Sequence, residues 1–254
     1  MITLKSAEHI ELIKQASRIA ADTLSLLSSF VIPGKIGLEI DKLAEDYIRS
    51  MGGIPSCKGY GGFPYSICYA RNSQGVHCFP DKEPIQEGDL VKLDLVVNYK
   101  GWNADTAISI IVPPAKKEDV NLCYNTYRAL QQGILQAKPG NRVSDISKAV
   151  FDSRNGCGVV KPFCGHGIGK DIHEGPSIPN YVVPEKDALL VENMVICIEP
   201  IFTSGNGEIY YKKDEWPTFT MDGSKLAHFE HTLLINPAPL PPTVLTLRNN
   251  EIIP

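Results

Sequence analysis

Residues 88 to 106 read GDLVKLDLVVNYKGWNADT, and they have the pattern of a β-hairpin. Side chains alternate in character along 90 to 97, which is the period of a β-strand, so Asp94 lies on one face and the other face carries Val91, Leu93, Leu95 and Val97. Lys100-Gly101 is typical of a short hairpin turn, and Asp105 lies on the strand after it. The stretch therefore predicts two antiparallel strands, each with an acidic side chain.

The register of this hairpin decides how the two aspartates meet. If the loop is Tyr99-Lys100, Asp94 faces Asp105 directly; if the turn shifts by one, they become diagonal neighbours on the same face. In either register two like charges meet at cross-strand distance, which is unfavourable unless a cation or a shared proton compensates. The pair therefore indicates a functional site rather than two solvated side chains.

Three more ligand-type side chains follow, His166, Glu199 and Glu230, each in a stretch typical of a strand or a strand end. With the aspartates they give four carboxylates and one imidazole, whereas a single zinc ion usually takes three or four His or Cys ligands. Carboxylates bridge two cations ~3.5–4 Å apart and offset their repulsion. We therefore expect a two-metal site where the five residues converge.

The chain also contains an internal repeat. Apolar residues at helical spacing predict two helix pairs, and their bounds are 6–29, with Ser6 as N-cap, and 37–51, then 117–136 and 143–151. Pro33-Gly34 and Pro139-Gly140 stand 106 positions apart, and Glu87 and Glu192, which each open an apolar strand, stand 105 apart. The two offsets predict a duplicated unit of a helix pair plus antiparallel strands, with halves at about 1–112 and 113–254.

The bulk properties limit the class of protein. A chain of 254 residues fits one domain, and its net charge of −4 gives no basic surface for DNA. No apolar run reaches the ~18–20 residues that cross a membrane, and residues 1–5 lack a signal-peptide pattern. The seven cysteines are an odd number without a CxxC pair, which does not predict a disulfide framework. We therefore expect a cytoplasmic protein with no membrane partner.

A resemblance to a known family rests on six stretches, which are ICYARNSQGVHCFP (67–80), the hairpin at 88–106, GHGIGKDIHEGP (165–176), MVICIEP (194–200), FEHT (229–232) and LTLR (245–248). On these residues the chain resembles a type I methionine aminopeptidase. The resemblance implies one α+β domain, 1–254, of the pita-bread fold. Its pseudo-twofold duplicated halves would form a central curved antiparallel sheet covered by helix pairs.

For the metal site, the resemblance implies two adjacent divalent ions, which would be Co, Mn, Fe or Zn. Asp94 would chelate one ion, His166 and Glu199 would ligate the other, and Asp105 and Glu230 would bridge them. The gaps of 33 residues from His166 to Glu199 and 31 from Glu199 to Glu230 leave no room for the insertion typical of type II enzymes.

The implied activity is hydrolytic removal of the initiator methionine from nascent polypeptides with a small second residue, by a water that bridges the ions. Glu199 would accept the proton of this water, His173 would hydrogen-bond the oxyanion, and His77 would contact the amide nitrogen of the scissile bond. The expected partners are nascent N-termini, with transient ribosome association, and the expected state is a monomer.

The implied methionine pocket combines sulfur and aromatic groups, which suit a thioether, and consists of Cys57, Tyr60, Phe63, Cys68 and Trp216. A second interpretation is that Tyr60 and Phe63 only anchor a glycine-rich loop. His228 shares a strand face with Glu230, so a supporting role beside the ligands stays open. The chain departs from the usual family run at 71–76, at Cys78 and at Ile172, which bears on the residue tolerated after methionine.

Two rival functions stay open on the sequence. A proline-specific aminopeptidase or dipeptidase of the same fold would share the five ligands, but such enzymes usually carry an additional N-terminal domain. A non-catalytic pita-bread protein would bind histones, RNA or peptides, but such proteins usually lack the metal ligands.

Overall fold

The structure is a computed structural model that describes residues 2–184, 187–212, 216–249 and 251–252. Within these ranges it contains four α-helices, α1 (Ala7–Ser28), α2 (Gly37–Ser50), α3 (Lys117–Gln136) and α4 (Val143–Asp152). Their bounds agree with the predicted ones to within one residue. Ser6 caps α1 as predicted, because its hydroxyl accepts the backbone N–H of His9. No helix in this described part is long and apolar enough to span a membrane.

The strands are short apart from the predicted hairpin. They are β1 (Ile54–Pro55), β2 (Cys68–Arg71), β3 (Leu90–Tyr99), β4 (Trp102–Ile111), β5 (Gly158–Val159), β6 (Cys164–Gly167), β7 (Glu174–Pro179), β8 (Val195–Ile198), β9 (Ile201–Thr203), β10 (Ile209–Tyr211), β11 (Thr218–Thr220), β12 (Leu226–His228), β13 (Glu230–Leu234) and β14 (Thr243–Val244). The main sheet has the order β1-β3-β4-β13-β8-β6-β7, with β2 also on β3 and β14 also on β13, and its ladders are antiparallel.

The hairpin adopts the diagonal register. Tyr99 pairs with Trp102, so the loop is Lys100-Gly101, and Asp94 and Asp105 are diagonal neighbours. The alternative in which the two aspartates face each other directly is wrong. Both loop residues have positive φ, 51° and 88°, which matches the right-handed twist of the flanking strands and is readily supplied by a glycine at the second position.

The helix pairs cover one side of the sheet. The predicted apolar face of β3 packs in a buried cluster with α1 and α2, whose members include Leu24, Leu27, Ile40 and Ile48. A second buried cluster joins α3 and α4 to β8, through residues such as Ile134, Ile146, Ile196 and Ile198. The opposite side of the central strands is therefore free to carry the polar residues.

The two halves repeat at the offsets that the sequence predicted. The residue before α2, Ile36, and the residue before α4, Arg142, stand 106 positions apart, and each donates its backbone N–H to a carboxylate three residues later. Gly88 and Asn193, 105 positions apart, both have positive φ at the turn that opens β3 and β8. The fold therefore has the pseudo-twofold α+β architecture expected from the sequence.

Candidate metal centre

The five predicted ligands meet at the middle of the sheet. Asp94, Asp105, His166 and Glu230 lie on β3, β4, β6 and β13, and Glu199 directly follows β8. These five strands are consecutive neighbours in the sheet, so the side chains converge on one surface. One oxygen each from Asp94, Asp105 and Glu230 lie within 4.8 Å of one another. The His166 Nε2 atom is 3.8 Å from Asp105 Oδ2 and 3.7 Å from Glu199 Oε1.

The carboxyl groups stand in an environment that disfavours their negative charge. Burial raises the pKa values of Asp105, Glu199 and Glu230 well above the usual range, and the neighbouring carboxylates raise them further. The pKa of Asp94 is also raised, chiefly by burial. Carboxyl groups this close together need either protons or cations to neutralise their negative charge.

The tautomer of His166 favours a cation. Its Nδ1 lies 2.9 Å from the carbonyl oxygen of Gly167, to which only a protonated nitrogen can donate. Nε2 therefore presents a lone pair toward the carboxylates, and burial lowers the pKa of the imidazole to about 4. A neutral histidine whose second nitrogen is fixed by a carbonyl is the usual form of a metal ligand.

Two buried oxygens give an independent test of whether metal ions fit. Asp105 Oδ1 and Glu230 Oε1 are buried and make no hydrogen bond to any residue that the structure describes. Buried polar atoms without partners are rare in folded proteins and point to an unseen ligand or ion. Four carboxylates and one imidazole suit divalent cations, so the residues fit the metal group that the sequence predicted.

One cysteine lies close enough to be a rival ligand. One ligand atom each from Cys197 on β8, His166 and Glu230 lie within 4.8 Å of one another. A thiol must lose its proton to bind metal, but burial raises the pKa of Cys197 well above its usual value, and its Sγ pairs with the Thr232 hydroxyl at 3.4 Å. We therefore assign Cys197 to packing.

Three further histidines surround the carboxylates. The His173 ring lies 4.5 Å from the His166 ring, and its Nδ1 is 3.0 Å from the Tyr60 hydroxyl. Burial lowers the pKa values of His77, to about 4, and of His173, so both imidazoles are neutral near pH 7. His228 Nε2 is 3.5 Å from Glu199 Oε2, which places next to a ligand the residue whose role the sequence left open.

A cavity of about 80 Å³ adjoins the carboxylates. All five residues of the predicted methionine pocket line it, together with His77, His173, Asp94, Asp105, Val96 and Ile172. The Trp216 ring lies edge-on to Phe63 and to His77, both at 5.6 Å between centroids. The sequence did not single out Val96, although strand alternation already put it on the face of Asp94. Ile172, noted only as a departure, contributes an apolar wall.

The unusual segment before His77 is held firmly by β11. Gly75 donates its N–H to the Thr218 carbonyl at 2.7 Å, and a side chain at Gly75 would come within 2.3 Å of the Thr218 hydroxyl oxygen. His77 itself has a φ of 58°, which is uncommon for a residue with a side chain. Cys78 is buried and donates to the same carbonyl at 3.3 Å. The segment thus fixes the direction in which His77 points.

A larger cavity, about 870 Å³, lies elsewhere, along α1 and α3, and Tyr124, Tyr127 and Phe229 line part of it. Its lining shares no residue with the predicted site. The chemistry therefore assigns the smaller cavity, which carries the carboxylates and histidines, as the functional one.

Comparisons with known proteins agree with this geometry. The sequence model of metallopeptidase family M24 matches residues 11–237. The methionine aminopeptidase of Clostridium acetobutylicum is 37% identical over 238 residues, which are 92% of this chain and 95% of that protein. The crystal structure of methionine aminopeptidase from Thermotoga maritima matches with a TM-score of 0.93 and 34% identity, over 97% of this chain and 99% of that one.

A more distant likeness concerns the first rival function. Prolidase from Pyrococcus furiosus matches with a TM-score of 0.77 and 22% identity, and the match covers 97% of this chain but 66% of that one. At this identity the likeness shows the shared fold alone. The pita-bread fold expected from the resemblance is confirmed, and the proline-specific alternative is not favoured. The chain belongs to metallopeptidase family M24 and, within it, to the methionine aminopeptidases.

Proposed function

We propose that this protein removes the N-terminal methionine from peptides and nascent polypeptides by metal-dependent hydrolysis. The observation that carries the proposal is the convergence of four carboxylates and one imidazole, with two unpartnered buried oxygens, beside a cavity lined by sulfur and aromatic groups. We further propose that residues 1–254 form one catalytic domain, with halves at about 1–112 and 113–254.

Two divalent ions would occupy the site. Asp94 would hold one ion, His166 and Glu199 the other, and Asp105 and Glu230 both. The strand order supports this division. Asp105 lies on β4, which is next to the central strand β13, whereas Asp94 lies on β3, one strand further away. Oxygen-rich sites accept Co, Mn, Fe or Zn, so the choice in the cell also depends on which metal is available.

When bound, the ions supply positive charge that makes a water molecule acidic and polarises the scissile carbonyl. Glu199 takes the proton from the attacking water. A carboxylate beside the attacking water is within reach of its proton. His173, neutral and held by Tyr60, donates a hydrogen bond to the developing oxyanion. His77, whose segment is hydrogen-bonded to β11, contacts the amide nitrogen and assists its departure.

The cavity selects the first residue of the substrate. Sulfur–aromatic contacts are worth about 0.3–1.5 kcal/mol each, and Cys57, Cys68, Phe63, Tyr60 and Trp216 offer several to a thioether. We expect a small second residue. Transient ribosome association, a monomeric state and a cytoplasmic location stay predictions.

The test measures release of free methionine from Met-Ala-Ser. A chelator first removes metal from the protein, which is then titrated separately with Co, Mn, Fe and Zn. We expect metal-dependent release that fails in Asp105→Asn, and little cleavage of an Ala-Pro peptide. Folded protein that releases no methionine with any of the metals would overturn the proposal, and cleavage of the Ala-Pro peptide instead would revive the proline-specific rival.

A further inference from the structure

The segment before α1 brings the charged side chain of Lys5 into contact with Glu174, the residue that follows His173. Lys5 Nζ lies 2.6 Å from Glu174 Oε2, and the two side chains are only 2% and 8% exposed. The Thr3 hydroxyl also hydrogen-bonds Glu174 Oε2 and Lys5 Nζ. The segment itself is anchored, since Lys5 donates its N–H to the Asn193 carbonyl at 2.9 Å. Thr3 and Lys5 are called the N-terminal strap below.

A buried ion pair of this kind is weak evidence for stability, because removing two charges from water offsets most of their attraction. The ion pair nevertheless limits the space at the neighbouring residue Gly169. A side chain on Gly169 would come within 2.4 Å of Glu174 Oε1 and 2.7 Å of Lys5 Nζ, so it would displace the ends of both side chains of the pair. Gly169 belongs to the loop between His166 and His173, and its carbonyl accepts the backbone N–H of Asn103 at 2.8 Å.

His173 directly precedes Glu174, and the packing around its own ring is loose. The ring is covered on the side of His166, but the residue as a whole is exposed, and a cavity of about 430 Å³ that is also lined by Lys5 and Glu174 reaches it. Its Nδ1 contacts the Tyr60 hydroxyl, but Tyr60 is itself 45% exposed. The firm anchor next to His173 is therefore Glu174, which is fixed by the strap from outside the loop.

We propose that Lys5 is a positioning residue for His173, and that it acts through Glu174. This inference rests on the proposed function, in which His173 donates to the oxyanion. Glu174 is the first residue of β7 and pairs with Gly167 of β6. The ion pair fixes its side chain at this end of the ladder, and so sets where the neighbouring imidazole points when the transition state forms. Such an effect lowers kcat rather than substrate or metal binding, because the oxyanion exists only in the transition state.

The test measures methionine release from Met-Ala-Ser by Lys5→Met at saturating metal. A displacement of about 1 Å can reduce a rate by about 100-fold, so we expect kcat to fall about 10- to 100-fold, with KM and metal affinity changed less than about 2-fold. Lys5→Arg keeps the charge and recovers most of the rate. Lys14→Met is the matched control, because its pair with Glu11 is on the exposed face of α1, and it leaves kcat unchanged.

A double-mutant cycle separates positioning from general damage. In a His173→Ala background, Lys5→Met has no further effect on kcat if Lys5 works through His173. An equal loss in both backgrounds, or a wild-type kcat in folded Lys5→Met, overturns the inference. If Lys5→Met does not fold, Thr3→Ala is the milder probe, with an expected loss of about 2- to 10-fold, and no loss there overturns it too. Wild-type protein that releases no methionine contradicts the proposed function instead.

Discussion

His228 Nε2 lies 3.5 Å from Glu199 Oε2 and makes no hydrogen bond to the described residues. The histidine is buried, and burial lowers the pKa of its imidazole, so it is a neutral group that can donate one hydrogen bond to the carboxylate. A donor at this position would orient Glu199 as a ligand and as the proton acceptor.

His228→Ala should therefore lower kcat/KM about 10- to 100-fold, which is the usual effect of losing a group that orients a metal ligand. His228→Gln retains an N–H donor of similar reach and should keep most of the activity. Both variants are assayed at saturating metal with Met-Ala-Ser. Equal losses in the two variants would show that an N–H donor at this position is not what supports Glu199.

Metal affinity should rise with pH. The pKa values of Asp105, Glu199 and Glu230 are raised well above the usual range by burial, so protons compete with metal for the same oxygens. Each proton displaced makes the apparent affinity about tenfold tighter per pH unit. Mn titrations at several pH values between 6 and 8, in buffers with different heats of ionisation, measure both the slope and the protons released. A flat profile without proton release would contradict protonation of the folded site.

Asp105→Asn should stabilise the protein from which a chelator has removed the metal. The variant should also lose the increase in stability that bound metal gives to the wild type. Burial raises the pKa of Asp105, and repulsion from Glu230 and Asp94 raises it further; an uncharged amide avoids both costs. We expect Tm to rise by about 2–4 °C, which corresponds to about 1 kcal/mol in a chain of this size.

The sign of the pH effect on this variant follows from linkage. A carboxyl group with a raised pKa keeps its proton in the folded protein and loses it in the unfolded chain, so it contributes less stability as pH rises through the raised pKa. The Tm advantage of Asp105→Asn over wild type should thus grow with pH. Asp46→Asn, at an exposed pair with Lys42, is the control and should show neither effect. An advantage that shrinks with pH would contradict the assigned charge state.

Gly75→Ala should reduce methionine release at least about 10-fold, because the new Cβ meets the Thr218 hydroxyl oxygen at 2.3 Å and moves the segment that carries His77. Thr218→Ala removes that oxygen and should restore part of the activity in the double variant. Circular dichroism would establish that the three variants fold. If the double variant is no better than Gly75→Ala, then the clash is not the cause.

Much of this fold could be predicted because the local signals are strong. Ser6, the two Pro-Gly turns and the apolar spacing gave the helix bounds to within one residue. The strand alternation around Asp94 identified the buried face of β3. The hairpin register was left open, because it depends on whether Lys100 accepts positive φ, which a residue with a side chain adopts only when the strand twist requires it.

The contacts across long separations could not be predicted from spacing. Lys5 is 169 positions before Glu174, and a lysine in an N-terminal segment is usually solvated. Alternation put His228 and Glu230 on one strand, but the structure places His228 on β12, which pairs with β9 in a separate sheet, and Glu230 on β13. The distance from His228 to Glu199 depends on this break between the two strands. The five ligands could be grouped by residue type and strand context, but which ion each of them would hold rested on the resemblance.

The place of β13 in the sheet has a consequence for synthesis of the protein. This strand lies between β4 and β8, so it joins the two halves, and its first residue is Glu230. A growing chain that has not yet released residues 230–234 from the ribosome lacks both the central ladder and Glu230, the proposed shared ligand. The peptidase therefore becomes competent only after this strand has emerged, and a copy without it cannot cleave its neighbours.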